Sequence, residues 1–85
     1  MSYGIFIERA AQRALAKVAR PAQDRIVEAL QKLGDQPRPA GAKKLRGREA
    51  WRIRIGDYRV IYEIDDAQRL VLVISVGHRR DVYRR

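Results

Sequence analysis

Residues 50–65 have the sequence AWRIRIGDYRVIYEID, in which two alternating segments flank a Gly-Asp pair. Residues 50–55 alternate apolar and charged side chains, and residues 58–65 alternate in a similar way, as half-buried strands do. Gly56-Asp57 is typical of a two-residue hairpin turn. The segment therefore predicts two antiparallel strands with one face toward the core and the other toward solvent.

The residues before this hairpin predict a short strand and two helices. Residues 3–7 alternate, whereas residues 8–19 and 21–33 place apolar side chains at i, i+3, i+4 and i+7, which gives each helix one apolar face. Gly34 is expected to end the second helix. Residues 35–42 contain prolines and glycine and are expected to form a loop.

The residues after the hairpin predict one more strand and a polar tail. Residues 70–76 are apolar on both faces, as expected of a central strand, and residues 77–85 are mostly polar. The element order is then β-α-α-β-β-β. It predicts a single two-layer α+β domain over residues 1–85, in which an α-hairpin packs on one face of an antiparallel sheet.

Composition narrows the class of function. The chain has 85 residues and a net charge of +9, which indicates a polyanionic partner such as nucleic acid. It has no Cys and one His, so disulfides, thiol nucleophiles and Cys- or His-based metal sites are excluded, and no cofactor is expected. No apolar run approaches the length of a membrane span and no signal peptide is evident. A cytoplasmic protein without a membrane partner is therefore expected.

Strand alternation predicts that the arginines of the hairpin lie on one face of the sheet. Arg52 and Arg54 project from one face of their strand, opposite Trp51. Arg59 should lie beside Arg54 across the turn. Three guanidiniums on one surface suit phosphate groups, because each planar fork offers paired donors. The alternative, that the arginines are solvated residues and that Glu63 neutralises one of them, stays open at this point.

Two side chains near the C-terminus are further candidates. His78 follows the last strand, and the unperturbed imidazole, with a pKa of about 6.5, suits acid–base chemistry, although a lone exposed His is more often incidental. Tyr83 has an aromatic ring that suits stacking on an RNA base. The alternative for Tyr83 is that it packs the C-terminal tail onto the sheet.

Three segments form a recognisable pattern: KLRG at residues 44–47, WRIRIGDYRVIY at residues 51–62 and VISVGHRRDVY at residues 73–83. Together they resemble the RelE/ParE toxin superfamily, most closely its RelE-like branch, over essentially the whole chain. The resemblance implies a RelE-like fold and a type II toxin. RelE-like toxins are metal-independent endoribonucleases that cleave mRNA in the ribosomal A site. In the family reaction a ribose 2′-OH attacks the adjacent phosphate and a 5′-OH is released.

The resemblance also implies roles for individual residues. By position, the candidate catalytic residues are Arg52, Arg54, Arg59, Arg79 and Tyr83, with His78 as a further candidate for proton transfer. The best-known pattern has lysines at the first two of these positions. An arginine can stabilise charge but does not lose its proton, so neither is a good general base. The other basic residues expected to bind RNA are Lys43, Lys44, Arg46, Arg48 and Arg80.

Partners follow from the same resemblance. They are a RelB-like antitoxin that masks the basic face, the ribosome with its 16S rRNA, the mRNA, and operator DNA reached indirectly through the antitoxin. Two alternatives stay open, because fold alone does not choose a function. One is a ParE-like toxin that inhibits DNA gyrase and cuts nothing. The other is a basic domain that has lost activity and acts only with its antitoxin.

Overall fold

The computed structural model describes residues 2–78 as two helices on one face of a five-stranded sheet. The predicted two-layer α+β architecture is therefore confirmed. In chain order the elements are β1 (Gly4–Ile7), α1 (Arg9–Ala16), α2 (Ala22–Asp35), β2 (Lys43–Lys44), β3 (Trp51–Ile55), β4 (Tyr58–Asp65) and β5 (Leu70–His78). Within residues 2–78, neither helix is long and apolar enough to cross a membrane.

The strands lie in the order β1-β5-β4-β3-β2. Strands β2 to β5 form an antiparallel meander, and the β3–β4 turn at Gly56-Asp57 has the predicted two residues. Gly56 adopts a φ of +59°, which glycine accepts without steric cost. One part of the sheet prediction was wrong, since β1 pairs with β5 in parallel. Strand β5 is interior as expected, although β4 is the middle strand of the five.

The core lies between the helices and the covered face of the sheet. Ile26, with its side chain fully buried, illustrates the energetics, because burial of such a side chain stabilises the fold by about 1.5–3 kcal/mol. The apolar helix faces predicted from spacing supply much of this core. Its fully or nearly fully buried members are Ala11, Val18, Ile26, Leu30, Leu33, Val60, Tyr62, Val71, Val73 and Val76.

Element ends differ from the predictions for identifiable reasons. Helix α1 ends at Ala16, three residues early, and α2 continues through Gly34 to Asp35. Gly34 does not stop the helix. Its carbonyl accepts a hydrogen bond from the Tyr3 amide at 2.6 Å, and a Cβ there would lie 3.0 Å from the Tyr3 carbonyl oxygen. The glycine therefore allows β1 to approach α2 closely.

Two further corrections concern strands. The two-residue strand β2 was not predicted, because two lysines carry no alternation, and it exists through its pairing with Trp51 and Arg52. Strand β5 includes Gly77 and His78, which the sequence assigned to the tail, because β4 is long enough to pair with both. The remaining tail residues, with the candidates Arg79, Arg80 and Tyr83, lie outside the described residues.

Candidate nucleic-acid interface

The three arginines of the hairpin line one cavity on the sheet face that the helices leave uncovered. Arg54 and Arg59 are directly paired across β3 and β4, and Arg52 lies two residues along β3. With Gly41 and Lys43 they surround a cavity of about 380 Å³. Within the described part of the chain, no Asp or Glu lines this cavity. We call it the arginine cavity.

The arginines differ in burial because their strands differ in position. Arg59 belongs to the middle strand and is only 6% exposed, whereas Arg54 is exposed and Arg52 is intermediate. The residue paired with Arg59 on β5 is Gly77, which has no side chain to compete for the space. Like charges placed opposite each other destabilise a sheet. The cavity therefore brings like charges close together, and Arg59 is the most buried of its cations.

His78 is not brought to the arginine cavity. It pairs with Tyr58, and the two rings form an edge-to-face contact with centroids 5.5 Å apart. Paired residues project to the same face of a sheet, and Tyr58 packs against the core beneath the helices. His78 thus lies on the opposite face from Arg59. Within residues 2–78, no group of three His, Asp or Glu side chains is placed to hold a metal ion.

The other predicted RNA-binding residues surround the β2–β3 connection. Lys43 lines the arginine cavity itself. Lys44 lies beside it in the chain and forms an ion pair with Glu49 at 3.4 Å. Arg46 and Arg48 are exposed in the turn between the two strands. These positions make a basic rim along the β2 edge, continuous with the cavity. The predicted RNA contact at Arg80 lies outside the described residues.

Sequence analysis missed a second polar cluster, centred on Arg38. The Arg38 guanidinium donates two hydrogen bonds to the Asp66 carboxylate, Nη2 to Oδ2 at 2.8 Å and Nη1 to Oδ1 at 3.3 Å. Tyr3 donates its hydroxyl to the same carboxylate at 2.5 Å. The Arg38 Cζ also lies 5.6 Å from the ring centre of Trp51, within the range of a cation–π contact. No local sequence pattern predicts this cluster, since Arg38 and Asp66 are 28 residues apart.

The directions of the pKa shifts of Asp66 and Tyr3 are consistent with the hydrogen bonds of the Arg38 cluster. The hydrogen bonds from Arg38, and then from Tyr3, hold the pKa of Asp66 below its ordinary value. The hydrogen bond to Asp66 raises the pKa of Tyr3. Both shifts favour the protonation states that make the contacts at neutral pH, namely a carboxylate and a neutral phenol.

Tyr62 anchors the neighbouring residue of the same loop. Its ring is fully buried in the core, and its hydroxyl donates to the Pro37 carbonyl at 2.7 Å. Burial raises the pKa of Tyr62 to about 12, so the hydroxyl stays protonated and keeps donating. Tyr62 therefore packs in the core with its ring and holds the loop that follows α2 with its polar end.

Comparison with known proteins identifies the family. The family model for the ParE toxin of the type II toxin-antitoxin system parDE matches residues 5–83. Toxin RelG of Mycobacterium tuberculosis (strain ATCC 25618 / H37Rv) is 36% identical over 88 residues, with 100% of both chains covered. The match therefore spans the whole domain and includes the tail.

Solved structures agree with this match. The RelBE2 toxin–antitoxin complex from Mycobacterium tuberculosis contains a chain with a TM-score of 0.81 and 30% identity, covering 92% of this chain and 99% of that one. The archaeal RelE–RelB complex from Pyrococcus horikoshii OT3 has a TM-score of 0.83 and 27% identity, with 93% and 97% covered. The chain belongs to the RelE/ParE superfamily of type II toxins, and the structures that it resembles are those of RelE toxins.

Proposed function

We propose that this chain is a ribosome-dependent endoribonuclease that cleaves mRNA in the ribosomal A site and so inhibits translation. The observation that carries the proposal is the convergence of Arg52, Arg54 and Arg59, with Lys43, on one cavity of the uncovered sheet face. A phosphodiester suits such a set of cations, because a guanidinium fork matches a pair of phosphate oxygens. The likeness to RelE structures supports this reading over other uses of the same fold.

The proposed reaction needs charge stabilisation and two proton transfers. The ribose 2′-OH attacks the adjacent phosphorus, the bond from phosphorus to the 5′ oxygen breaks, and that oxygen leaves as a 5′-OH. Negative charge builds on the phosphate oxygens, where preorganised cations lower the barrier most. Arg59 is suited to this task because it is buried and held by its strand. Arg52 and Arg54, which are more exposed, are suited to holding the phosphate on the outer side.

Proton transfer must come from groups other than these arginines, because a guanidinium does not release its proton in a protein. His78 lies on the other face of the sheet, against Tyr58. We therefore assign the proton transfers to Tyr83, which lies outside the described residues, together with water or groups of the ribosome. Arg79, also outside the described residues, is the proposed further donor to the phosphate.

The small cavity fits a toxin that depends on the ribosome for substrate placement. About 380 Å³ is room for a phosphate and its sugar but not for a folded RNA. A ribosome that holds the A-site codon supplies the positioning that an isolated enzyme would need a deeper cleft to provide. Contact with 16S rRNA is assigned to the remaining basic residues, Lys44, Arg46, Arg48 and Arg80.

A RelB-like antitoxin is the proposed neutralising partner. The structures that this chain resembles include complexes of RelE with RelB. With a net charge of +9 concentrated partly around the arginine cavity, an antitoxin that covers this face would block mRNA and remove the repulsion among the arginines. Binding of operator DNA would then be indirect, through the antitoxin.

Primer extension on a reconstituted translation system tests the function. Ribosomes carrying a defined mRNA are mixed with purified toxin, and cleavage within the A-site codon is expected. Arg54→Ala should reduce the cleavage rate strongly, whereas Arg20→Ala removes the same charge from an exposed site that pairs with Asp24 and serves as the control. Intact mRNA with the unaltered toxin would refute the proposal.

Inhibition of DNA gyrase is the second candidate, because the family model that matches residues 5–83 is that of the ParE toxin. A supercoiling assay with purified gyrase separates the two. The proposal expects no inhibition of supercoiling by the unaltered chain. Inhibited supercoiling together with uncut mRNA would assign the chain to the gyrase-directed class.

A further inference from the structure

One wall of the arginine cavity comes from outside the β3–β4 hairpin. Gly41 and Lys43 line the cavity and belong to the segment that follows α2. Lys43 is held from one side by its pairing with Arg52. Gly41 lies in the preceding loop, residues 36–42, so part of this wall belongs to the loop itself.

The loop is attached to the rest of the domain at two neighbouring residues. The Pro37 carbonyl accepts the Tyr62 hydroxyl, and Arg38 binds Asp66 on the turn between β4 and β5. Pro37 and Pro39 flank Arg38, and each proline ring fixes one backbone dihedral. Four residues separate Arg38 from Lys43, and a turn hydrogen bond from the Ala42 amide to the Pro39 carbonyl lies among them, so this short segment connects the attachments to the cavity wall.

We propose that Arg38 and Asp66 form a latch that positions the Gly41–Lys43 wall of the arginine cavity, with Arg38 as a positioning residue for the bound phosphodiester. The effect on cleavage rests on the proposed function, whereas the effect on the loop does not. Arg38 itself lies away from the cavity and acts through the loop.

The latch differs from an ordinary surface ion pair in how its partners are held. Arg38 makes two hydrogen bonds to Asp66 and lies over Trp51, and Asp66 also accepts the hydroxyl of Tyr3. Each partner thus has a further contact, the Trp51 ring for Arg38 and the Tyr3 hydroxyl for Asp66. By contrast, Arg20 and Asp24 form a single contact at 3.4 Å between positions one helical turn apart. Pairs of that kind contribute little to stability, so Arg20→Ala is the matched control.

A turn hydrogen bond reports directly on the loop. The Ala42 amide donates to the Pro39 carbonyl at 2.9 Å, between the latch and Lys43. Hydrogen exchange of the Ala42 amide in the full chain should accelerate at least about tenfold in Arg38→Gln, because release of the latch opens this turn locally. Arg38→Lys keeps a cation that can reach Asp66 and Trp51, and it should recover part of the protection. Arg20→Ala should leave exchange unchanged.

The same variants are then compared in single-turnover cleavage on programmed ribosomes. Arg38→Gln should lower the rate about tenfold, since displacement of a positioning group by less than 1 Å has effects of this order, and Arg38→Lys should be intermediate. Thermal unfolding should show that Arg38→Gln and the Arg20→Ala control are both fully folded at the assay temperature, which excludes general loss of fold as the cause.

The outcomes of these experiments decide for or against the latch. Unchanged Ala42 exchange in Arg38→Gln overturns it. Faster exchange with an unaltered cleavage rate also overturns it, because the wall would then not depend on the loop. If the unaltered toxin cleaves nothing, the proposed function fails, and binding of a short single-stranded oligoribonucleotide replaces cleavage. Weaker binding by Arg38→Gln than by Arg38→Lys then supports the latch, and equal binding overturns it.

Discussion

The two faces of the β3–β4 hairpin have opposite roles although they follow the same alternation. On the covered face, Val60 and Tyr62 are fully buried and pack against the helices. On the uncovered face, Arg59 directly precedes Val60 in the chain and is almost as buried, yet it lines a polar cavity with Arg52 and Arg54. Burial therefore does not by itself distinguish a residue that packs in the core from one that lines a polar cavity and is proposed to bind a ligand.

Replacement of Arg59 should have the largest effect on activity. Arg59→Ala is expected to lower the rate of mRNA cleavage by on the order of a hundredfold or more, as removal of a transition-state donor does. Arg79→Ala should have an effect of the same size if the tail joins the site. Both are measured by single-turnover cleavage on ribosomes, with thermal unfolding to confirm the fold. Wild-type rates in both variants would mean that the site has been wrongly assigned.

Replacement of Val60, the next residue in the chain, should lower stability and leave the cleavage rate unchanged. Val60→Ala removes two buried methyl groups from the core and should lower the free energy of unfolding by about 2 kcal/mol. At a temperature where the variant stays folded, its cleavage rate should equal that of the unaltered chain. Urea denaturation and the ribosome assay check the two halves of this prediction. A large loss of cleavage in folded Val60→Ala would break the contrast between the two faces.

Tyr62 tests how the covered face supports the uncovered one. Tyr62→Phe keeps the ring in the core but removes the hydrogen bond to Pro37, which should cost about 1 kcal/mol of stability. Exchange of the Ala42 amide should also increase, though less than on loss of Arg38. An unchanged free energy of unfolding would show that the hydroxyl does not hold the loop.

His78 should matter little for cleavage. Its edge-to-face contact with Tyr58 is worth about 0.5–1.5 kcal/mol of stability, so His78→Ala should unfold slightly more easily. Its cleavage rate should stay near that of the unaltered toxin because the ring lies on the covered side. Loss of activity at a preserved fold would return His78 to the candidate proton-transfer residues.

The smallest expected effect is the pH dependence of the stability that Asp66 contributes through the latch. Because Arg38 and Tyr3 lower the folded-state pKa of Asp66, the ionised carboxylate stabilises the fold above the unfolded value of 3.8, and that contribution is lost as pH falls through the lower folded value. The difference in unfolding free energy between the unaltered chain and Asp66→Asn should therefore be constant at neutral pH and shrink below about pH 4. The neighbouring carboxylates are present in both proteins, so their contribution to the free energy of unfolding cancels in the difference; they are Glu49, Glu63 and Asp65.

Much of the fold was predictable because its signals are local. Alternation predicted strands β3 and β4, and the Gly56-Asp57 turn predicted their pairing, since a two-residue loop leaves one register. The helix faces followed from spacing in the same way. The pairing of β1 with β5 was not predictable, because alternation shows that a segment is a strand but not which strand it joins. The role of Gly34 was likewise missed, because it depends on how closely β1 approaches.

In the candidate site, too, some features follow from local sequence and others only from tertiary packing. The chain alone places Arg52, Arg54 and Arg59 on one face, because successive side chains of a strand point in opposite directions and the turn fixes what lies across it. Packing alone sets the burial of Arg59 on the middle strand, the separation of His78 from the arginines, and the contact of Arg38 with Asp66. These depend on distances between segments that are far apart in the chain, which no local pattern encodes.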